Sequence, residues 1–239
     1  MSPVIQVSNL TKSFDGKIAV DHISLTINRG DIYGFLGPNG SGKTTTLRML
    51  CGLLTPDSGT GSCMGFDITR ESDQIKPKIG YMTQKFSLYD DLTIEENLDF
   101  SARLYQVPNH AEKVEQVLKD LNLNDRRNQL TGTLSGGWKQ RLALSAVLLH
   151  DPEILLLDEP TAGVDPKARR EFWDEIKKLS GKGVTTLVPT HYMDEAARCN
   201  QLAFIAYGKL LIHGTPDEIV AQSGFGSRDL EEIFVRLLQ

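Results

Sequence analysis

Eight consecutive residues, Gly37-Pro38-Asn39-Gly40-Ser41-Gly42-Lys43-Thr44, have the G-x-x-x-x-G-K-[ST] spacing of a phosphate-binding loop. Glycine lets backbone N–H groups approach an anion because no Cβ stands in the way, and a following helix adds favourable N-terminal charge. The lysine is a point charge for β- and γ-phosphates, and the threonine hydroxyl is a ligand for Mg²⁺. The alternative is a glycine-rich turn that binds nothing. The flanks favour the phosphate loop, because residues 31–36 are typical of a buried strand and residues 45–50 of a helix.

A second pair of residues suited to chemistry is Asp158 and Glu159, which end the apolar run of residues 154–157. Such a run is typical of a central parallel strand, and open α/β sheets bind ligands beyond the carboxyl ends of their strands. We therefore expect Asp158 to bind Mg²⁺ and Glu159 to act as a base beside the γ-phosphate. The alternative is an acidic loop or helix cap, which the phosphate loop makes less favoured.

Three further features are ambiguous when each is taken alone. Ser135-Gly136-Gly137 would allow close backbone approach to an anion at a helix start, or it is a plain loop. His191 follows a predicted strand, where it could reach a γ-phosphate, although a lone histidine is structural by default. Phe14, just before the turn dipeptide Asp15-Gly16, is either a core aromatic or a surface for stacking adenine.

The elements around these residues change in character along the chain. The first third alternates apolar and polar residues as strands do, and a hairpin is predicted at Asp15-Gly16. Helical periodicity then dominates, with a capping box at Thr93 and Glu96 and an apolar face through Val114 and Leu118. A final helix is predicted from about Asp229.

Composition narrows the class of protein. The 239 residues carry 26 lysines and arginines against 31 aspartates and glutamates, a net charge of −5, which argues against nucleic acid as the main partner. Cys51, Cys63 and Cys199 lack metal-ligand spacing and are expected to be reduced thiols of a cytosolic protein. We find no signal peptide and no apolar run that would span a membrane.

The chain resembles the ATP-binding subunits of ABC transporters over essentially its whole length. The features that carry this resemblance are, in chain order, the phosphate loop, residues 134–138, the Asp158-Glu159 pair and His191. The resemblance implies an α/β fold: a P-loop NTPase (RecA-like) core with an N-terminal antiparallel β subdomain and an inserted α-helical subdomain. It implies one ATPase domain over 1–239, with the β subdomain and core at 1–85 and 144–225. The helical subdomain with the signature motif would take 86–143, and a C-terminal helix 226–239.

The resemblance also implies site roles for ATP and Mg²⁺. Catalysis would involve Glu159, His191 and Gln84, the last of which also matches a glutamine that touches Mg²⁺ or the attacking water. The metal would be held by Thr44, Gln84 and Asp158. Nucleotide contacts would come from Phe14, from Gly37, Pro38, Asn39, Gly40, Ser41, Gly42, Lys43, Thr44 and Thr45, from Ser135, Gly136 and Gly137 acting on ATP of the opposite subunit, and from Asp165.

Two positions depart from the family pattern. The signature motif usually ends in glutamine, and here it ends in Trp138, so the tuning of the dimer contact is in question. Pro189 stands two residues before His191 and removes a ladder N–H, which could change the aim of His191.

The resemblance further implies partners and a location. The sequence around Trp138 and at residues 190–196 is similar to that of exporter ATPases of the ABC-2-like drug and multidrug kind. In those exporters the membrane partner is a separate chain. A permease subunit would dock near residues 84–89 from the cytoplasmic face of the membrane, and the chain would pair with a copy of itself or with a sister ATPase domain.

Alternative functions remain to be weighed. A soluble ABC ATPase of translation or DNA repair usually has two ATPase domains or long basic or coiled arms, which are absent from this sequence. One half of a tandem ABC ATPase stays open. A P-loop GTPase or kinase is disfavoured, because there is no Asn-Lys-x-Asp guanine motif.

Overall fold

The computed structural model describes residues 3–83, 88–161 and 163–238. The chain divides into two compact units, the first made of Met1–Lys76 and Ile176–Gln239 and the second of Pro77–Glu175. The second unit is thus an insertion into the first. The predicted helical segment, 86–143, falls inside this insertion, and its exact bounds remain a prediction.

The elements agree in type and order with the α/β pattern. In chain order the strands are β1 (Pro3–Phe14), β2 (Lys17–Asn28), β3 (Ile32–Leu36), β4 (Ser58–Cys63), β5 (Phe66–Asp67), β6 (Ile79–Met82), β7 (Ile154–Leu157), β8 (Thr185–Thr190), β9 (Gln201–Ala206) and β10 (Lys209–Gly214). The helices are α1 (Lys43–Leu50), α2 (Ser72–Ile75), α3 (Ile94–Leu104), α4 (His110–Asp120), α5 (Gly136–Leu148), α6 (Pro166–Gly181), α7 (Met193–Ala196), α8 (Pro216–Ser223) and α9 (Leu230–Leu237).

The first unit begins with an antiparallel sheet of order β2-β1-β4-β5. Its first hairpin turns at Asp15-Gly16, with Phe14 opposite Lys17, as the turn dipeptide predicts. Alternation places Ile5 and Val7 of β1 in the core, while Gln6 and Ser8 are exposed. The predicted β subdomain is therefore present.

The parallel core of the first unit is built on β3, whose five residues are all buried. β3 pairs in parallel with both β8 and β9, and β10 adds to β9 antiparallel through the hairpin at Tyr207-Gly208. Leu36 lies opposite Thr190 at the carboxyl ends of β3 and β8. As a result, Gly37 and His191 each follow the end of one of two neighbouring strands.

The second unit combines a parallel strand pair with a helical core. β6 and β7 are in register, with Met82 opposite Leu157 at their carboxyl ends. Helices α3, α4 and α5 share a core that includes Leu98, Leu118 and Leu142. The predicted capping box starts α3: Thr93 Oγ1 accepts from Glu96 N–H at 3.2 Å, and Glu96 accepts from Thr93 N–H at 2.8 Å. In the part of the chain that the structure describes, no helix has both the length and the hydropathy needed to span a bilayer.

One histidine of the second unit, His150, is half-buried in a place that disfavours its charged form. The ring of His150 stacks on Tyr105 with a centroid separation of 3.9 Å, and its Nε2 lies 3.2 Å from the carbonyl oxygen of Ile79. Burial lowers the pKa of His150, which outweighs the opposing influences of that carbonyl and of Asp151. The neutral ring is therefore the form that the fold favours.

We predict that this unit loses stability as pH falls from 7.5 to 5.5. Because the folded pKa of His150 lies below its unfolded value near 6.5, the contribution is complete above that value and declines as pH falls through it. Denaturant unfolding at the two pH values measures the loss, and His150→Gln should flatten the dependence. The control is His22→Gln, whose ring lies in the first unit and is exposed; an equal flattening in that variant would contradict the assignment to His150.

Candidate nucleotide-binding site

The predicted phosphate loop connects β3 to α1, and two of its glycines are required by the backbone packed behind them. A Cβ at Gly37 would lie 2.1 Å from the carbonyl oxygen of Ile205, and one at Gly42 would lie 2.4 Å from that of Ala19. Gly42 also has φ +98°, which disfavours any side chain. The glycine spacing therefore reflects close packing on β2 and β9 in addition to access for an anion.

The opposite side of the loop is open. Gly40 is exposed, and no described atom lies within 4 Å of the place its Cβ would take. Gly208 supports the loop from behind, since its N–H donates to Ser41 O at 3.1 Å and its carbonyl accepts from Asp21 N–H at 2.8 Å. One face of the loop is thus fixed by backbone contacts while the other is accessible to a ligand.

Lys43 and Ser41 provide the loop with a cation and a hydroxyl. The buried Lys43 Nζ donates to Gly37 O at 2.6 Å and to Pro38 O at 3.0 Å, which holds the ammonium across the loop. Ser41 Oγ is buried and has no hydrogen-bond partner among the described residues, so it can still bond to a ligand oxygen. Thr44 and Thr45 stand half-buried in the first turn of α1, where N–H groups are available to an anion. These features fit a phosphate chain.

Phe14 and His191 belong to the same unit as the loop. The side chain of Phe14 is 48% exposed at the end of β1, which excludes the core alternative and leaves a ring face available for stacking. His191 is exposed directly after β8, and its ring lies 4.0 Å from that of Tyr192. β8 continues through Pro189, which pairs opposite Phe35, so the proline does not interrupt the strand.

Asp158 and Glu159 follow β7 in the second unit. Asp158 N–H donates to Met82 O at 2.9 Å, which continues the β6–β7 pairing by one residue. Glu159 has φ +45°, a left-handed conformation that costs a non-glycine residue about 1 kcal/mol or more and that clusters at functional sites. The buried Gln140 donates from Nε2 to Pro160 O, which ties α5 to this turn.

The Ser-Gly-Gly segment forms the start of α5. Ser135 is the N-cap residue, and both Ser135 and Gly136 are exposed. Gly137 faces the start of α6, since a Cβ there would lie 2.8 Å from Ala168 Cβ and 3.6 Å from Asp165 Oδ2. Asp165 Oδ1 accepts from the N–H groups of Lys167 and Ala168, both at 3.0 Å, which is the geometry of a helix cap. The structure thus brings Gly137 and Asp165 together within one chain.

Two arginines, Arg126 and Arg141, lie over the ring of Trp138. The guanidinium carbon of Arg126 lies 5.5 Å from the ring centroid and that of Arg141 lies 5.1 Å away. Such cation–π contacts hold the indole and the two charges together at the start of α5. This cluster could not be predicted from the sequence, because only Arg141 lies at helical spacing from Trp138.

The predicted metal ligands are Thr44, Gln84 and Asp158. Gln84 lies outside the described residues, as does Phe86. Among residues 3–83, 88–161 and 163–238, no group of three or more His, Cys, Asp or Glu side chains is arranged as a metal site. Mg²⁺ commonly takes only one or two carboxylates together with substrate phosphates, so the chemistry of the predicted ligands fits that ion.

Three residues that shape the site carry no motif in the sequence. Ala19 and Gly208 contact the phosphate loop from behind, and Gln140 holds the turn that follows β7. The turn dipeptide Tyr207-Gly208 was a signal for the hairpin but not for its contact with the loop. Nothing local marks Ala19 or Gln140.

Comparison with known proteins gives the same family throughout. The family model described as ABC transporter matches residues 20–162. The probable multidrug ABC transporter ATP-binding protein YbhF of Escherichia coli K12 is 45% identical over 98% of this chain, which spans only 42% of that protein. The Nod factor export ATP-binding protein I of Cupriavidus metallidurans is 39% identical over 92% of this chain and 74% of its own length.

Solved structures agree with the fold. An ATP-binding subunit of an ABC transporter superposes with a TM-score of 0.86 at 26% identity, covering 99% of this chain and 100% of that one. The ATP-binding cassette MJ0796, dimeric and bound to ADP and Pi in a post-hydrolysis state, gives 0.77 at 26% identity, covering 88% of this chain and 98% of that one. From its sequence motifs, its fold and these relatives, this chain belongs to the ABC transporter family.

Proposed function

We propose that this chain binds and hydrolyses ATP with Mg²⁺ and thereby powers export through a separate membrane-spanning protein. The observation that carries the proposal is the phosphate loop, closed behind by Ala19 and Ile205 and open at Gly40. The direction of transport is supported by the relative named as a Nod factor export ATP-binding protein. The other relative is named as a probable multidrug ABC transporter ATP-binding protein. The chain spans about two fifths of this multidrug relative, so the transported compound and the whole assembly belong to the proposal.

We assign each predicted site residue a role in phosphoryl transfer. The N–H groups of residues 37–44 and the Lys43 ammonium bind the β- and γ-phosphates, and Phe14 stacks on the adenine. Glu159 takes the proton of the attacking water, while His191 donates a hydrogen bond to the γ-phosphate. Mg²⁺, when bound by Thr44, Asp158 and Gln84, would neutralise charge on the β- and γ-phosphates. The rate then comes from positioning and charge stabilisation.

We propose that two such domains work head to tail. The exposed start of α5 at Ser135 and Gly136 would bind the γ-phosphate of ATP that is held by the phosphate loop of the other domain. The MJ0796 cassette, which was solved as a dimer with ADP and Pi, supports the pairing of two domains. The second domain is either a copy of this chain or a sister domain; the greater length of YbhF favours the sister domain as an alternative.

The membrane partner would dock on an apolar patch of the second unit, which we call the α3 patch and define as Tyr89, Phe100 and Leu104. Phe100 and Leu104 are one turn apart on α3, and the rings of Tyr89 and Phe100 meet edge to face at 5.2 Å. All three side chains are exposed, Leu104 to 64%. The buried Asn97 accepts from Tyr89 N–H at 2.8 Å and donates to Tyr89 O at 3.0 Å, which orders the patch before any partner binds.

The first prediction from this proposed function concerns Glu159 as the general base. Glu159→Gln should retain ATP binding but lower the hydrolysis rate by about 100-fold or more, because the amide cannot take the proton of water. Phosphate release and equilibrium ATP binding measure the two effects. Glu153→Gln is the matched control, since Glu153 lies beyond the other end of β7 and pairs with Lys78 at 2.8 Å. Turnover by Glu159→Gln at the parent rate would refute the role of Glu159.

The second prediction concerns the metal. Hydrolysis should stop with EDTA and return with added Mg²⁺, and Asp158→Asn should raise the half-saturating Mg²⁺ concentration by about tenfold or more because a charged ligand is lost. A further pair isolates the hydroxyl: Thr44→Ala should behave like Asp158→Asn, whereas Thr44→Ser should resemble the parent. Full activity in EDTA would exclude the Mg²⁺ mechanism.

The third prediction concerns the partner. Purification of this chain from mildly solubilised native membranes should bring with it one stoichiometric polytopic membrane protein, identified by mass spectrometry. Phe100→Asp should abolish that association and leave ATP binding unchanged. Docking of the membrane protein would bury the new carboxylate without a counter-charge, which is unfavourable. Val235→Asp on α9, an equally exposed apolar position of the first unit, is the control. Recovery of ribosomal or DNA-repair proteins instead of a polytopic membrane protein would contradict the transport function.

A further inference from the structure

Asp57 binds the three residues that precede Phe14. Its N–H donates to Thr11 O at 2.9 Å. Its Oδ1 accepts from Lys12 Nζ at 2.6 Å, and its Oδ2 accepts from Ser13 N–H at 2.7 Å and from Ser13 Oγ at 2.8 Å. One aspartate therefore fixes the end of β1 through four hydrogen bonds, and it lies more than 40 residues further along the chain.

These bonds matter at the end of β1 because its pairing with the neighbouring strands is irregular there. The ladder with β2 shifts register between Leu10 and Lys12 and again between Lys12 and Ser13. The ladder with β4 shifts between Ser8 and Thr11. Irregular pairing weakens the constraint on direction that a continuous ladder supplies, and the carboxylate of Asp57 replaces that constraint.

The bond to Lys12 has a second consequence. Lys12 Nζ lies 5.6 Å from the centroid of the Phe14 ring, and its side chain is only 16% exposed. One face of the ring is therefore covered by a cation that Asp57 holds, which leaves the other face for a planar ligand. These donors lower the pKa of Asp57 to about 2, with the bond from Lys12 as the largest cause, so the carboxylate is ionised at neutral pH.

Asp57 is also connected to the phosphate loop through a short, ordered path. The loop opens α1, and the chain leaves α1 through a turn in which the N–H groups of Leu53 and Leu54 both donate to Arg48 O, at 2.7 and 3.1 Å. Asp57 follows three residues later, directly before β4. Helix α1, the turn after it and Asp57 thus connect the phosphate loop to the segment that precedes Phe14.

We propose that Asp57 is a positioning residue for the nucleotide base: by holding Lys12 and Ser13 it fixes the place and tilt of the Phe14 ring relative to the phosphate loop. This inference rests on the proposed stacking of adenine on Phe14. Asp57 then contributes to the part of the nucleotide affinity that comes from the base, and not to the part that comes from the phosphates.

The experiment compares ADP with inorganic pyrophosphate, two ligands that are not hydrolysed and that differ by the nucleoside. Calorimetric titration should show that Asp57→Ala raises the Kd for ADP about threefold and leaves that for pyrophosphate within about twofold, since base stacking on an aromatic side chain is the only contact weakened. Phe14→Ala should raise the Kd for ADP about tenfold. The double variant should bind ADP no worse than Phe14→Ala, because Asp57 acts through the ring.

Two further variants separate positioning from general damage to the sheet. Asp57→Asn keeps the size of the side chain and most acceptor sites, so it should fold as the parent does and show a smaller change in the same direction. Asp67→Ala is the matched control, because Asp67 in the same sheet accepts from Thr69 N–H at 2.7 Å and from Arg70 N–H at 3.1 Å. It should leave both ligands unaffected.

The outcomes distinguish the two proposals. If Phe14→Ala weakens ADP but Asp57→Ala and Asp57→Asn do not, the role of Asp57 is wrong and the adenine platform stands. Equal loss of ADP and pyrophosphate binding in the Asp57 variants, or losses that add in the double variant, also overturns the role. If Phe14→Ala leaves ADP binding unchanged, the adenine platform itself is wrong, and the role of Asp57 falls with it.

Discussion

The close backbone contacts behind the phosphate loop are the constraint on which the rest of the first unit depends. The carbonyl oxygens of Ile205 and Ala19 approach Gly37 and Gly42 so closely that neither position has room for a Cβ. Because β2 and β9 supply these carbonyls, the antiparallel sheet and the parallel core must both be in place before the loop can adopt its shape. The β9–β10 turn then closes the arrangement through Gly208. The open face at Gly40 is the consequence of crowding on the other side.

Parallel register explains where the remaining chemical groups lie. In the first unit, Leu36 and Thr190 end neighbouring strands opposite each other, so the phosphate loop and His191 emerge at the same edge. In the second unit, Met82 and Leu157 do the same, and Asp158 extends that pairing through its own N–H. Each unit therefore presents polar residues directly beyond the carboxyl end of a buried parallel strand, which is where open α/β sheets bind ligands.

Features that depend on local chemistry could be predicted from the sequence. The capping box of Thr93 and Glu96 and the hairpin at Asp15-Gly16 each use residues within three positions of one another. Features made by tertiary packing could not. The bond from Gln140 to Pro160 and those from Lys12 and Ser13 to Asp57 join residues 20 to 45 positions apart, and no local pattern marks them. Even Gly37, predicted for access to an anion, is required by Ile205 behind it.

The exposed start of α5 gives a physical reason for pairing two domains in the proposed mechanism. Ser135 and Gly136 present helix N–H groups to solvent, while Gly137 is fixed against Ala168 and Trp138 is held between two arginines. These contacts hold the start of α5 in place without a ligand, and preorganisation of this kind lowers the entropic cost of binding. ATP can close a dimer only through contacts made in the closed state and absent from the open one. A phosphate bound by the loop of one domain and by the α5 start of another supplies that difference, and cleavage of the γ-phosphate removes it.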